Sequence, residues 1–164
     1  MKNIKVIASL ICLCLGFAFT QSLTNDHLKV YAGEWEGSLT YLDYGDDETL
    51  VTLPMKVEAE HNDKGVEFKY FFTEPGGSIE KRTDRFRIKT GRIYYNGYWE
   101  EVSTNISSLN EWTLELKSDG KDNNRKASFK KVVSVTSTEI TVKKMVRYEG
   151  TDDFFVRNTY IFKR

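Results

Sequence analysis

Two lysines stand where a strand pattern calls for apolar side chains. In "ASFKKVVSV", Ala127 to Val135, Phe129, Val133 and Val135 share one face and Lys131 is in phase with them. In "EITVKKMVRY", Glu139 to Tyr148, Ile140, Val142, Val146 and Tyr148 share a face and Lys144 is in phase. Alternate residues of a strand point the same way, so both lysines are predicted to point inward. The inward positions are odd-numbered in the first run and even-numbered in the second, so the connection has even length, and the shortest natural choice centres on Ser137-Thr138. That register sets Val135 opposite Ile140, Val133 opposite Val142, and Lys131 opposite Lys144. Like charges opposed across a strand pair repel, and burial adds a desolvation cost, so compensation is expected.

Register carried through "KTGR" points Asp84 inward as a possible partner. Arg82 is inward too, placed to stack on Trp99 if the strand runs on past Asn96-Gly97. One outcome is a cationic floor of Lys131, Lys144 and Arg82 under an anionic head group such as a carboxylate, with Phe68, Tyr70, Phe129 and Tyr160 lining the apolar part. The other is that Asp84 or Glu101 neutralises the lysines, or that a bulge turns one outward.

Other chemistry is mostly absent from the pattern. His27 and His61 are the only histidines, and both fall outside the strand pattern, His61 in the "EHNDKG" turn. A proximal haem ligand, a Ser-His-Asp triad and a three-histidine zinc site are therefore not expected. No catalytic residue, metal or cofactor is assigned. The acidic "DYGDDE", Asp43 to Glu48, lacks the spacing of a calcium loop and reads as a solvated turn, as does "SDGKDNN", Ser118 to Asn124. Asn105-Ile106-Ser107 matches an N-glycosylation acceptor. Aromatic residues make up 13% of the chain, and most fit strand and core roles. Tyr94 and Tyr98 share an outer face, where a sugar-binding platform would sit.

The elements that hold these residues are strands. Val51, Leu53, Met55, Val57 and Ala59 alternate with polar neighbours, "NDKG" turns the chain, and Val66, Phe68, Tyr70 and Phe72 alternate in turn. Further runs cover 82–89, 92–102, 111–117, 126–135, 140–147 and 154–162. "KTGR" and "YNGY" are hairpin signals, the second alternatively a bulge in one longer strand. At most a short helix is expected, near Thr24 to Ala32, where Thr24 or Asn25 could cap a turn. The sum is an all-β, antiparallel up-and-down barrel of eight to ten strands, because closure removes exposed edges.

Ahead of the barrel, Lys2 and Lys5 precede an apolar run from Val6 to Phe19, the layout of a secretory signal peptide over residues 1–20. The domain expected at 21–164 is exported, to the periplasm or the extracellular space. Both cysteines, Cys12 and Cys14, fall in the leader, so the mature chain has no disulfide and no thiol nucleophile. Charge balances at 24 basic and 24 acidic residues, which leaves no basic excess for nucleic acid. After the leader no stretch is apolar enough to span a bilayer.

Gly33-Glu34-Trp35 at the head of the first strand resembles the calycin superfamily of lipocalins, fatty-acid-binding proteins and avidins. "WEGSLTYLDY" with the ending "RNTYIFKR" is similar to a group of lipocalin-like secreted bacterial proteins. The resemblance implies that Trp35 closes one end of the barrel and that a late arginine packs across it, with Arg157 and Arg164 both candidates. It implies a non-catalytic barrel that takes a small apolar or amphipathic ligand, anionic if the lysines contact it. The alternatives are a protein-interaction or inhibitor-like barrel with a filled core and, third, a carbohydrate-binding module or an enzyme.

Overall fold

The computed structural model describes residues 22–89 and 92–164. The expected leader and the Thr90-Gly91 centre of "KTGR" lie outside the described residues. A 3₁₀ helix, Asn25–Tyr31, leads into β1 (Gly33–Leu42), β2 (Leu50–Asn62), β3 (Gly65–Thr73), β4 (Ile79–Lys89), β5 (Arg92–Tyr95), β6 (Tyr98–Ser108), β7 (Glu111–Asp122), β8 (Arg125–Val135), β9 (Glu139–Tyr148) and β10 (Phe155–Lys163). Each strand pairs antiparallel with its neighbours in the chain, and β10 pairs with β1 to close the barrel. No helix among the described residues is long and apolar enough to cross a membrane.

The inward residues follow the period-two pattern. Leu53, Met55, Val57 and Ala59 of β2 are buried, as are Val66, Phe68, Tyr70 and Phe72 of β3. The β8–β9 register has Val135 opposite Ile140, Val133 opposite Val142 and Lys131 opposite Lys144. "YNGY" forms a hairpin: Asn96 and Gly97 take positive φ, of 52° and 128°, and β5 is only four residues long.

At the seam, Gly37 of β1 lies opposite Phe162 of β10. A Cβ on Gly37 would sit 1.8 Å from the Ile161 carbonyl oxygen, and only backbone movement relieves a clash with backbone. Gly37→Ala is therefore expected to force the closing strands apart and cost about 3 kcal/mol. Gly76→Ala, where an added Cβ meets nothing within 4 Å, is expected to be near neutral. Urea denaturation of the two variants checks the contrast.

One end of the barrel is plugged. The 3₁₀ helix crosses it with Leu28 and Tyr31 fully buried, and the Tyr31 ring stands edge-on to Phe68 at 5.0 Å. Trp35 Nε1 donates to the Tyr31 carbonyl at 2.7 Å. The arginine across Trp35 is Arg164, its guanidinium 3.8 Å from the ring centre and donating to the Val30 and Ala32 carbonyls. Both histidines help hold this plug. His27 Nδ1 accepts from the Thr24 N–H at 3.2 Å, and His61 Nε2 donates to the Asn25 carbonyl at 3.0 Å. His61 lies within β2, opposite Val66, rather than in the turn beyond it, because the strand continues to Asn62.

Arg157 is elsewhere. The competing apolar faces of β10 are both real, since the ladder slips between Val156 and Asn158. Arg157 occupies that bulge, so Phe155 faces inward on one side of it and Asn158, Tyr160 and Phe162 on the other.

Candidate functional site

The barrel interior is apolar at the plugged end, polar in a middle layer, and apolar again in a small cluster of Ala127, Val146 and Tyr148 with Phe129 and Phe155. The middle layer encloses a cavity of about 290 Å³. Lys131 and Val142 are its most buried wall residues on β8 and β9, while Arg82 and Tyr44, each about half exposed, stand at the rim. Tyr70, Tyr95, Trp99 and Tyr160 supply aromatic surface, and Asp84, Lys144, Asn96 and Asn158 complete the wall.

Lys131 is held by a backbone group that a turn releases. The tight connection after β5 leaves the Tyr95 carbonyl free of the ladder. It accepts from Lys131 Nζ at 3.0 Å and from Trp99 Nε1 at 2.8 Å. The ammonium also lies 4.0 Å from the Tyr95 ring centre and 4.2 Å from that of Trp99, where the ring quadrupoles attract it. Trp99 thus stacks with Lys131, and Arg82 does not take that place.

Arg82 instead turns back on its own strand. It grips Asp84 with two parallel bonds of 2.8 and 2.9 Å, the strong fork geometry of guanidinium and carboxylate, and donates to the Tyr160 hydroxyl at 3.3 Å. Lys144 reaches Asp122 at 3.3 Å and covers the Phe129 ring at 4.4 Å. Glu101 is exposed and accepts from the Thr104 hydroxyl, so it neutralises neither lysine. With Asp84 and Asp122 engaged, no carboxylate among the described residues stands within 4 Å of Lys131 Nζ.

Burial is the dominant influence on that ammonium. Loss of water pushes it from 10.5 down to about 7; the Asp84 charge resists this, while Lys144 and Arg82 assist it. Burial also pushes the phenols of Tyr70, Tyr95 and Tyr160 up, so all three stay protonated. The wall therefore offers neutral donors, two paired cations and one amine poised between charge states.

Beyond this layer a second polar cluster closes over the barrel mouth. Arg157, fully buried, donates to Asp47 at 2.7 Å and to the Tyr148 hydroxyl at 2.7 Å, and lies 2.8 Å from Asp122. Burial alone would pull its guanidinium down; Asp47 and Asp122 outweigh that and hold it up. The "DYGDDE" segment is thus more than a solvated turn. Thr49 and the backbone N–H groups of Glu48 and Thr49 bind Asp46 and hold its carboxyl at about 2. This shapes the loop so that Asp47 reaches Arg157 and Tyr44 reaches the cavity.

Of the residues expected to contact a ligand, Lys131, Lys144, Arg82, Tyr70 and Tyr160 line one cavity. Phe68 and Phe129 do not. Phe68 lies a layer deeper, packed on Tyr31 and near-parallel to Tyr95, and Phe129 lies over Gly120, where a Cβ would meet its ring at 2.9 Å. Asp122, Asp47 and Tyr95 were not signalled as site residues. Asp122 had a usable signal, being in phase with Trp112, Leu114 and Leu116 on the inward face of β7. Among the described residues no group of three or more His, Cys, Asp or Glu side chains gathers as a metal would require.

The class of protein these features define is a closed ten-stranded antiparallel barrel with one plugged end and a small polar-aromatic cavity. No protein-family model matches the chain, and no curated protein matches it.

Proposed function

We propose that the protein is an exported, lipocalin-like carrier that binds one small organic anion in the middle of its barrel, without catalysing a reaction. The observation that carries this reading is Lys131, a buried basic side chain on the cavity wall with no carboxylate partner among the described residues. An anion arriving there supplies the missing counter-charge and meets Lys144 and Arg82 on the same wall. The aromatic rings of Tyr70, Trp99 and Tyr160 take a flat or short apolar body.

Size narrows the ligand. At about 30 Å³ per water-sized group, the 290 Å³ cavity accepts on the order of ten non-hydrogen atoms. Phe68, Phe162 and Trp112 are buried in the core cluster below, where a long acyl chain would have to pass. A compact aromatic or short-chain carboxylate fits this space better than a fatty acid. Calorimetric titration is expected to show benzoate binding, with neither its neutral isostere benzamide nor palmitate doing so. Palmitate binding with benzoate inert would reverse the reading.

A further inference from the structure

Lys131 differs from an ordinary anchoring cation in what surrounds its nitrogen. It lines the cavity, two other cations share its wall, and no carboxylate among the described residues stands within 4 Å to fix it as ammonium. We propose that Lys131 is a nucleophilic amine that condenses reversibly with the carbonyl carbon of a small oxo acid held in the cavity, forming an imine. The inference rests on the anion-binding reading for the placement of the acid group, which in an oxo acid lies against Lys144 and Arg82 and so presents the carbonyl carbon, not the carboxylate, to Lys131.

The step balances without a redox partner. The Nζ lone pair attacks the carbonyl carbon, the C=O π pair moves to oxygen, and a proton passes from nitrogen to that oxygen. The resulting carbinolamine loses its hydroxyl with the second nitrogen proton as water, and the C=N bond forms. The neutral phenols of Tyr70 and Tyr160 border the same space and can hydrogen-bond the departing oxygen. The depressed basicity of Lys131 supports the assignment. With its midpoint at about 7, about half of it is free amine at pH 7, against about one part in three thousand for a lysine of ordinary basicity.

The test is reductive trapping of the full exported chain with glyoxylate and cyanoborohydride, followed by peptide mapping. At pH 7 one carboxymethyl group is expected on Lys131 at least about tenfold faster than on any other lysine. The rate should level off above pH 7, whereas surface lysines keep gaining up to about pH 10. Lys131→Arg should lose the fast modification, and Lys144→Met, which removes one of the two cations placed against the acid group, should slow it severalfold without moving it to another lysine. Excess benzoate should slow trapping in the unaltered protein, a readout independent of any variant's folding. Modification spread evenly over the lysines, or a rate at Lys131 that climbs as theirs does, overturns the nucleophile. If benzoate still binds in that case, the anion site stands alone. If Lys131 is trapped selectively while no carboxylate binds, the imine stands and the anion reading falls.

Discussion

Lys131→Met is expected to stabilise the barrel at pH 7 by roughly 2–3 kcal/mol while abolishing anion binding. The lysine is 7% exposed, and burial pushes it from 10.5 to about 7. At 1.36 kcal/mol per tenfold change in acidity, holding this group in the fold costs about 4 kcal/mol at neutral pH. Methionine has a similar length and no charge to desolvate. It forfeits the bond to the Tyr95 carbonyl and the contacts with Tyr95 and Trp99, which offsets part of the gain. The sign with pH is distinctive. Between pH 7 and 10.5 the unfolded chain binds a proton at this lysine that the folded chain does not, so stability of the unaltered protein rises with pH across that window. In Lys131→Met that rise should vanish. Urea unfolding at pH 7 and pH 9.5 measures both effects, and a variant less stable at pH 7 with the slope intact would refute the account of Lys131.

Arg157→Met should act in the opposite direction, costing about 3–5 kcal/mol and lowering the melting temperature by about 10 °C. The guanidinium is fully buried between Asp47, Asp122 and Tyr148. Removing it strands Asp122, itself 4% exposed, with Lys144 as its one remaining cation among the described residues, and cuts the loop that carries Tyr44 from its anchor. Adding Asp122→Asn should recover part of the loss, because contacting residues are not additive. Thermal unfolding of the single and double variants gives the coupling. Full additivity would mean that the buried ion pair is not what holds the mouth closed.

The sequence-readable part of this site is the part fixed by parity and short turns. Lys131 opposite Lys144 follows from two apolar runs and an even connection, and Arg82 and Asp84 share the inward face of β4 for the same reason. Depth along the barrel was not legible. Phe68 and Phe129 have the right face but the wrong level, because level depends on the stagger of strands on opposite sides. The role of Arg157 was hidden by a bulge, since one extra residue exchanges the two faces of β10 without marking the sequence. Asp47 is a loop residue whose partner lies 110 positions away, and no local pattern encodes such a contact. The free carbonyl of Tyr95 depends on the geometry of the Asn96-Gly97 turn, which the dipeptide suggests but does not specify.

An anion that completes the charge of Lys131 must draw a proton onto it wherever the amine is partly neutral, so proton uptake on binding is the decisive measurement. Benzoate titrated calorimetrically at pH 6 and pH 8 should bind about tenfold more weakly at pH 8, since the charged form of a lysine with its midpoint at about 7 falls by about that factor. At pH 7, two buffers of different ionisation enthalpy should report about half a proton taken up per anion bound. Benzoate binding with equal affinity at both pH values and no proton uptake, or no binding at either, would contradict the claim.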